Sequence, residues 1–70
     1  MAKYKNGHWL VVLALDAIHR SCTKQGGFNT AELKQEALNF VQDAFEKKLI
    51  SDVYAFTITK EFMLMPVKNS

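Results

Sequence analysis

His19 and Cys22 stand three residues apart, and Asp16 lies three residues before the histidine. On a helix, residues at that spacing share a face, so a carboxylate, an imidazole and a thiol would follow one another along it. This is the order of groups a thiolate nucleophile needs, with the imidazole taking the thiol proton and the carboxylate orienting the ring. Working triads, however, are assembled from distant segments of a rigid frame, and a single surface helix builds no water-excluded pocket around its own side chains. Cys22 therefore reads as a partly buried structural residue and His19 as an exposed one. No catalytic residue is expected, and the chain reads as a non-enzyme.

A metal site fares no better. Asp16 and His19 offer two ligands and His8 one more imidazole, whereas a structural zinc site takes four ligands, usually with paired cysteines. No metal and no other cofactor is expected, and these residues read as a solvated helix face. The stretch "GGFNT" at residues 26–30 places open backbone amides before a helix start, the physical ingredients of an anion site. No lysine-hydroxyl pair follows as in a phosphate loop, so the glycines read as punctuation between two helices.

The elements that must carry these residues follow from periodicity. Leu10, Leu13, Ala14, Ala17, Ile18, Ser21 and Cys22 recur at three and four residues, and Trp9, Val11 and Leu15 widen the stripe. This predicts a first helix from about His8 to Gln25, capped by Asn6, ended by Gly26 and Gly27, and covered on more than one side. Asp16 and Arg20 are spaced for an i, i+4 ion pair on its exposed face. A second helix opens at "FNTAEL", with Asn29 as cap and Glu32 closing a capping box. Helical spacing then runs through Leu33, Ala37, Leu38, Phe40, Val41, Ala44 and Phe45 to about Leu49, as one long helix or two broken near Asn39.

After Ser51 and Asp52 the period changes to two. Tyr54, Phe56 and Ile58 alternate with Val53, Ala55, Thr57 and Thr59, a β-branched and aromatic composition that predicts a strand. A reversal at Lys60 and Glu61 pairs residues 62–67 back as a second, edge strand that tolerates Pro66. The alternative is that "KEFMLM" forms a short terminal helix. The expected fold class is therefore α+β, two or three helices followed by a C-terminal β-hairpin.

Size and composition agree with one small domain over residues 1–70. A chain of 70 residues cannot divide its buried surface into two cores. Apolar residues make up 49% and charged ones 23%, a globular composition with enough apolar surface to leave some for a partner. The net charge of +2 comes from interleaved signs rather than a basic stripe, which weakens the electrostatic case for nucleic acid. One cysteine makes no internal disulfide, which suits a reducing compartment. Lys3 and Lys5 precede the apolar run "WLVVLAL" as in a secretory leader. The run is short, Asp16 and Arg20 follow, and no small-residue cleavage site appears, so a cytoplasmic protein with no membrane span is expected.

The order helix, "GGF", helix, possible helix and hairpin resembles the winged helix-turn-helix fold of small regulators. "GGFNTAEL" stands as the stub strand feeding a helix, "FVQDAFEKKLIS" as the recognition helix and "VYAFTITKEF" as the wing. The resemblance implies a DNA-binding transcriptional regulator, with Gln42, Lys47, Lys48 and Lys60 as the DNA-contacting residues. Asp43 and Glu46 on the same helix would face DNA too, and carboxylates repel phosphates, so DNA binding ranks second.

Protein contact ranks first. In the hairpin, Tyr54, Phe56, Ile58, Met63, Met65 and Val67 form a fully apolar face to cover the helices, and Phe62 and Leu64 fall on the other face with Val53 and the threonines. A two-stranded sheet also leaves unpaired edges. The reading is a small non-enzymatic regulator acting by protein-protein contact through its hairpin, as a homodimer or as an inhibitor or adaptor of a larger partner. Val53, Phe62 and Leu64 are the expected partner-binding residues, and no small-molecule substrate is expected. The competing reading has the N-terminal Tyr4 and Trp9 close over Phe62 and Leu64.

Overall fold

A computed structural model describes residues 6–68, with side chains from residue 9 onward. Three helices follow one another: α1, Asn6–Gln25; α2, Ala31–Glu46; and α3, Asp52–Leu64. Lys34 near the start of α2 reaches the Met63 and Met65 carbonyls at the end of α3, so these two helices run antiparallel. The only extended pairing among the described residues is a single parallel bridge, Phe28 with Val67.

Each helix end has a local cause. Gly26 takes φ +88 at the end of α1. Its N–H donates to the Thr23 carbonyl at 3.3 Å and that of Gly27 to the Cys22 carbonyl at 2.8 Å. This is the Schellman arrangement, which satisfies carbonyls the helix leaves open. The same arrangement closes α2, where the N–H of Lys48 donates to Phe45 at 3.0 Å and that of Leu49 to Ala44 at 2.9 Å. Here the left-handed position is held by a lysine, Lys48, at φ 60. At the start of α2 the cap is Thr30, one residue beyond the expected Asn29; its hydroxyl accepts from the Leu33 N–H at 3.1 Å. Residues 31–46 form one helix without a break at Asn39.

The C-terminal third corrects the sequence reading. Residues 52–64 form α3, and among the described residues there is no hairpin, no wing and no sheet, so the fold is all-helical rather than α+β and the winged-helix resemblance does not hold. The segment fits two periods. Tyr54, Phe56 and Ile58 alternate, but Ala55, Ile58 and Phe62 also lie at helical spacing, and these three are the buried ones. Ser51, read as a boundary before a strand, is a helix cap whose hydroxyl accepts from the Tyr54 N–H at 3.1 Å. Strand propensity is a weak preference that packing overrides, and a lone hairpin with nothing else to extend it is marginal in water. A helix satisfies its own backbone and needs no such partner. Pro66 ends α3 instead of marking an edge strand: Met65 before it is extended, at φ −76 and ψ 135, as a residue preceding proline prefers.

The core is one cluster drawn from all three helices and the connections between them. Leu15 and Cys22 of α1, Phe28, Ala37, Val41 and Ala44 of α2, Ile50, and Ala55, Ile58 and Phe62 of α3 are buried together. Phe62 is 0% exposed, although the hairpin reading placed it on the outer face. The Phe28 ring packs edge-on against it at 5.7 Å between centroids, and the His19 ring lies at 6.2 Å. Those rings, with the rest of the core, cover Phe62. Tyr4, the other expected lid, lies outside the described residues, as do the side chains of Asn6 and His8. Trp9 is 56% exposed.

Candidate functional site

The constellation Asp16, His19, Cys22 is split by the way α1 packs. Asp16 pairs with Arg20 at 2.9 Å, the expected i, i+4 bridge. His19 turns to α3, where its Nε2 is 3.4 Å from Glu61 Oε1 and its ring meets Phe62. Cys22 is buried in the core. Burial pushes the Cys22 thiol above its ordinary value of 9.0, partly opposed by a hydrogen bond from Gln25. A thiol held protonated is a poor nucleophile and a poor metal ligand. Among the described residues no three His, Cys, Asp or Glu side chains gather as a metal would require.

Two surfaces remain. The first is a groove of about 610 Å³ between α1 and α2, lined by Ile18, Cys22, Phe28, Leu33, Ala37 and Phe40, with Ser21, Gln25, Asn29 and Glu36 also on its walls. It is an apolar cleft with few polar groups.

The second is the solvent side of α1 and α3. At about 100° per residue, Trp9, Leu10 and Leu13 sit on the side of α1 opposite Leu15, Ile18 and Cys22, and all three of the former are more than half exposed. On α3 the side opposite Ala55, Ile58 and Phe62 carries Val53 at 76% exposure, Phe56 at 73%, Met63 at 61% and Leu64 at 73%, with Lys60 among them. The outward side of α2 shows the usual alternative, with exposed Glu32, Gln35, Glu36, Asn39, Asp43 and Glu46. The apolar exposure is therefore heaviest on α1 and α3; α2 adds only Leu33 at 44% and Phe45 at 41%. No family model, no curated protein and no solved structure matches the chain.

Of the residues expected to bind a partner, Val53 and Leu64 are on the α3 surface and Phe62 is not. The helical period adds Phe56 and Met63, which the strand reading had assigned to the core face. The signal that finds them is the Ser51 cap followed by Ala55, Ile58 and Phe62 at helical spacing. The expected DNA-contacting residues lie on α2, on the turn after it and on α3. Gln42 donates from Nε2 to Glu46 at 3.0 Å, and Lys47 pairs with Asp43 at 3.1 Å. Lys48 holds the α2–α3 turn. Lys60 is eight residues into α3, about 12 Å along its axis from that turn. With no wing among the described residues, Lys60 is carried by α3, whose Phe56 and Thr59 share a groove with Gln42 of α2. Among the described residues, no helix is long and apolar enough to cross a membrane.

Proposed function

We propose that this protein is a small non-enzymatic contact module that acts by binding protein through the solvent sides of α1 and α3. One observation supports the reading: Trp9, Leu10 and Leu13 on α1 and Val53, Phe56, Met63 and Leu64 on α3 are exposed on the faces turned away from a core that is already complete. Singly exposed apolar residues are ordinary, but several on one face are a feature of interaction surfaces. Burying a side chain of this size is worth about 1.5–3 kcal/mol, so a partner that covers several of them recovers enough to offset the cost of association.

The test is retention by the immobilised full-length chain from nuclease-treated lysate, compared with variants carrying Leu10→Lys and Leu13→Lys on α1, or Val53→Lys and Leu64→Lys on α3. These positions are exposed, so the fold survives. Proteins held by the wild type and released by at least one pair support the reading. Retention identical across all variants would remove it.

A further inference from the structure

We infer that the α3 face is a self-association surface on which two copies of the chain pair antiparallel about the level of Ile58. The inference rests on the contact-module reading and names the partner of one of its two faces. Within the exposed face, which also carries Thr57 and Leu64, the four residues Val53, Phe56, Lys60 and Met63 stand at intervals of three, four and three. That order is the same read in either direction. A two-fold axis perpendicular to the helix, at the level of Ile58, therefore sets Val53 of one copy level with Met63 of the other, and Phe56 with Lys60. An isologous interface needs this kind of self-complementary patch.

The chemistry of the paired positions also fits. Lys60 is the one charge in the stripe, and a second copy brings the Phe56 ring opposite it. The ammonium then lies over an aromatic face while its stem covers apolar surface. Val53 and Met63 form the flanking apolar contacts. The axis puts the second copy's Met63 on the same flank as the shallow groove of about 370 Å³ between α2 and α3, lined by Val41, Phe45, Asp52, Phe56 and Thr59. A flexible thioether suits a gap between two aromatic rings.

The area is sufficient for a weak dimer. At their exposures, Val53, Phe56, Met63 and Leu64 offer on the order of 400–500 Å² of apolar surface. Phe45, Thr57 and the Lys60 stem bring each copy toward the roughly 800 Å² per partner of a standard interface. The expected complex is therefore small and concentration-dependent.

Sedimentation or light scattering on the full chain, from about 10 μM to about 1 mM, reads the result. The expected mass rises from 8.0 kDa toward twice that value with concentration. Phe56→Lys sets like charges opposite each other and raises the dissociation constant by about thirtyfold or more, with circular dichroism unchanged. Adding Lys60→Glu to that variant restores much of the association, because opposite charges again face each other. A wild type that stays monomeric to about 1 mM overturns the inference while leaving the contact-module reading to its own test. So does a dimer that survives Phe56→Lys but is lost in Leu10→Lys, since association would then run through α1.

Discussion

Gly27 lies against Pro66 so closely that a Cβ on the glycine would overlap the Pro66 carbonyl oxygen and come within 3.0 Å of its ring Cγ. The contact joins the α1–α2 connection to the tail that follows α3. The Phe28 N–H donates to the Pro66 carbonyl at 2.8 Å, and the Lys68 N–H donates back to the Phe28 carbonyl at 2.7 Å. Gly27 also stands at φ +141, a region that L side chains rarely adopt.

Gly27→Ala is therefore expected to cost about 2–3 kcal/mol, from backbone strain and the displaced tail together. Gly26→Ala meets open space and carries only the penalty of its own positive φ, about 1 kcal/mol. Urea unfolding of both variants checks the ranking, and equal losses would show that the Pro66 contact contributes nothing.

Lys34 supplies from α2 the cation that α3 lacks in its last turn. Its Nζ donates to the Met63 carbonyl at 3.0 Å and to the Met65 carbonyl at 2.8 Å. A charged donor on carbonyls at a helix C-terminus is favoured by the helix dipole as well as by the hydrogen bonds. Lys34→Met is expected to lose about 1–2 kcal/mol and to speed amide exchange selectively around residues 62–66. Uniform acceleration across all three helices would instead mean a general loss of stability.

Phe62→Ala and Leu64→Ala separate the helical from the hairpin reading of the C-terminal third. Phe62 is fully buried and Leu64 largely exposed. The first substitution should cost about 3–5 kcal/mol, a large share of the stability of a chain this small, and the second less than about 0.5 kcal/mol. Thermal melting of the two is the measurement, and similar melting temperatures would contradict the burial of Phe62.

Lys48 occupies at the end of α2 the left-handed position that Gly26 occupies at the end of α1. A side chain there carries a steric penalty that glycine avoids, partly offset by glycine's greater freedom in the unfolded chain. Lys48→Gly should raise stability by about 0.5–1 kcal/mol. A loss of stability would mean that the lysine side chain holds the α2–α3 turn in another way.

Alkaline pH should weaken the fold through two groups. Burial raises Cys22 above 9.0, and burial, with Asp16 nearby, raises Tyr54 above 10.0. Both are held neutral when folded and ionise more readily when unfolded, so above the unfolded values the unfolded chain binds fewer protons. Their contribution is thus fully present at neutral pH and is lost as pH rises from about 9 through the higher folded values. Tyr54→Phe should flatten the part of the decline that sets in near pH 10. Urea midpoints at pH 7, 9 and 10.5 would show it, and an unchanged slope would exclude Tyr54 as a contributor.

The sequence alone determined α1 closely, and placed α2 to within a residue at its start while leaving open whether it was one helix or two. Wide apolar periodicity set α1, Gly26 and Gly27 ended it where expected, and the Asp16–Arg20 pair formed as its spacing required. These features are local, resting on helical spacing and on the conformational freedom of glycine, so composition and order suffice to read them. Residues 52–66 were different, because Tyr54, Phe56 and Ile58 support a period of two as well as the helical one. Only tertiary packing chose between them. A core from α1 and α2 buries the line of Ala55, Ile58 and Phe62, whereas the described residues hold no other strand for a hairpin to join. That choice moved Phe62 inside and Phe56 and Met63 outside. The surface proposed for partners was therefore visible in the sequence as an excess of apolar residues, but its membership depended on which face of α3 the core claimed.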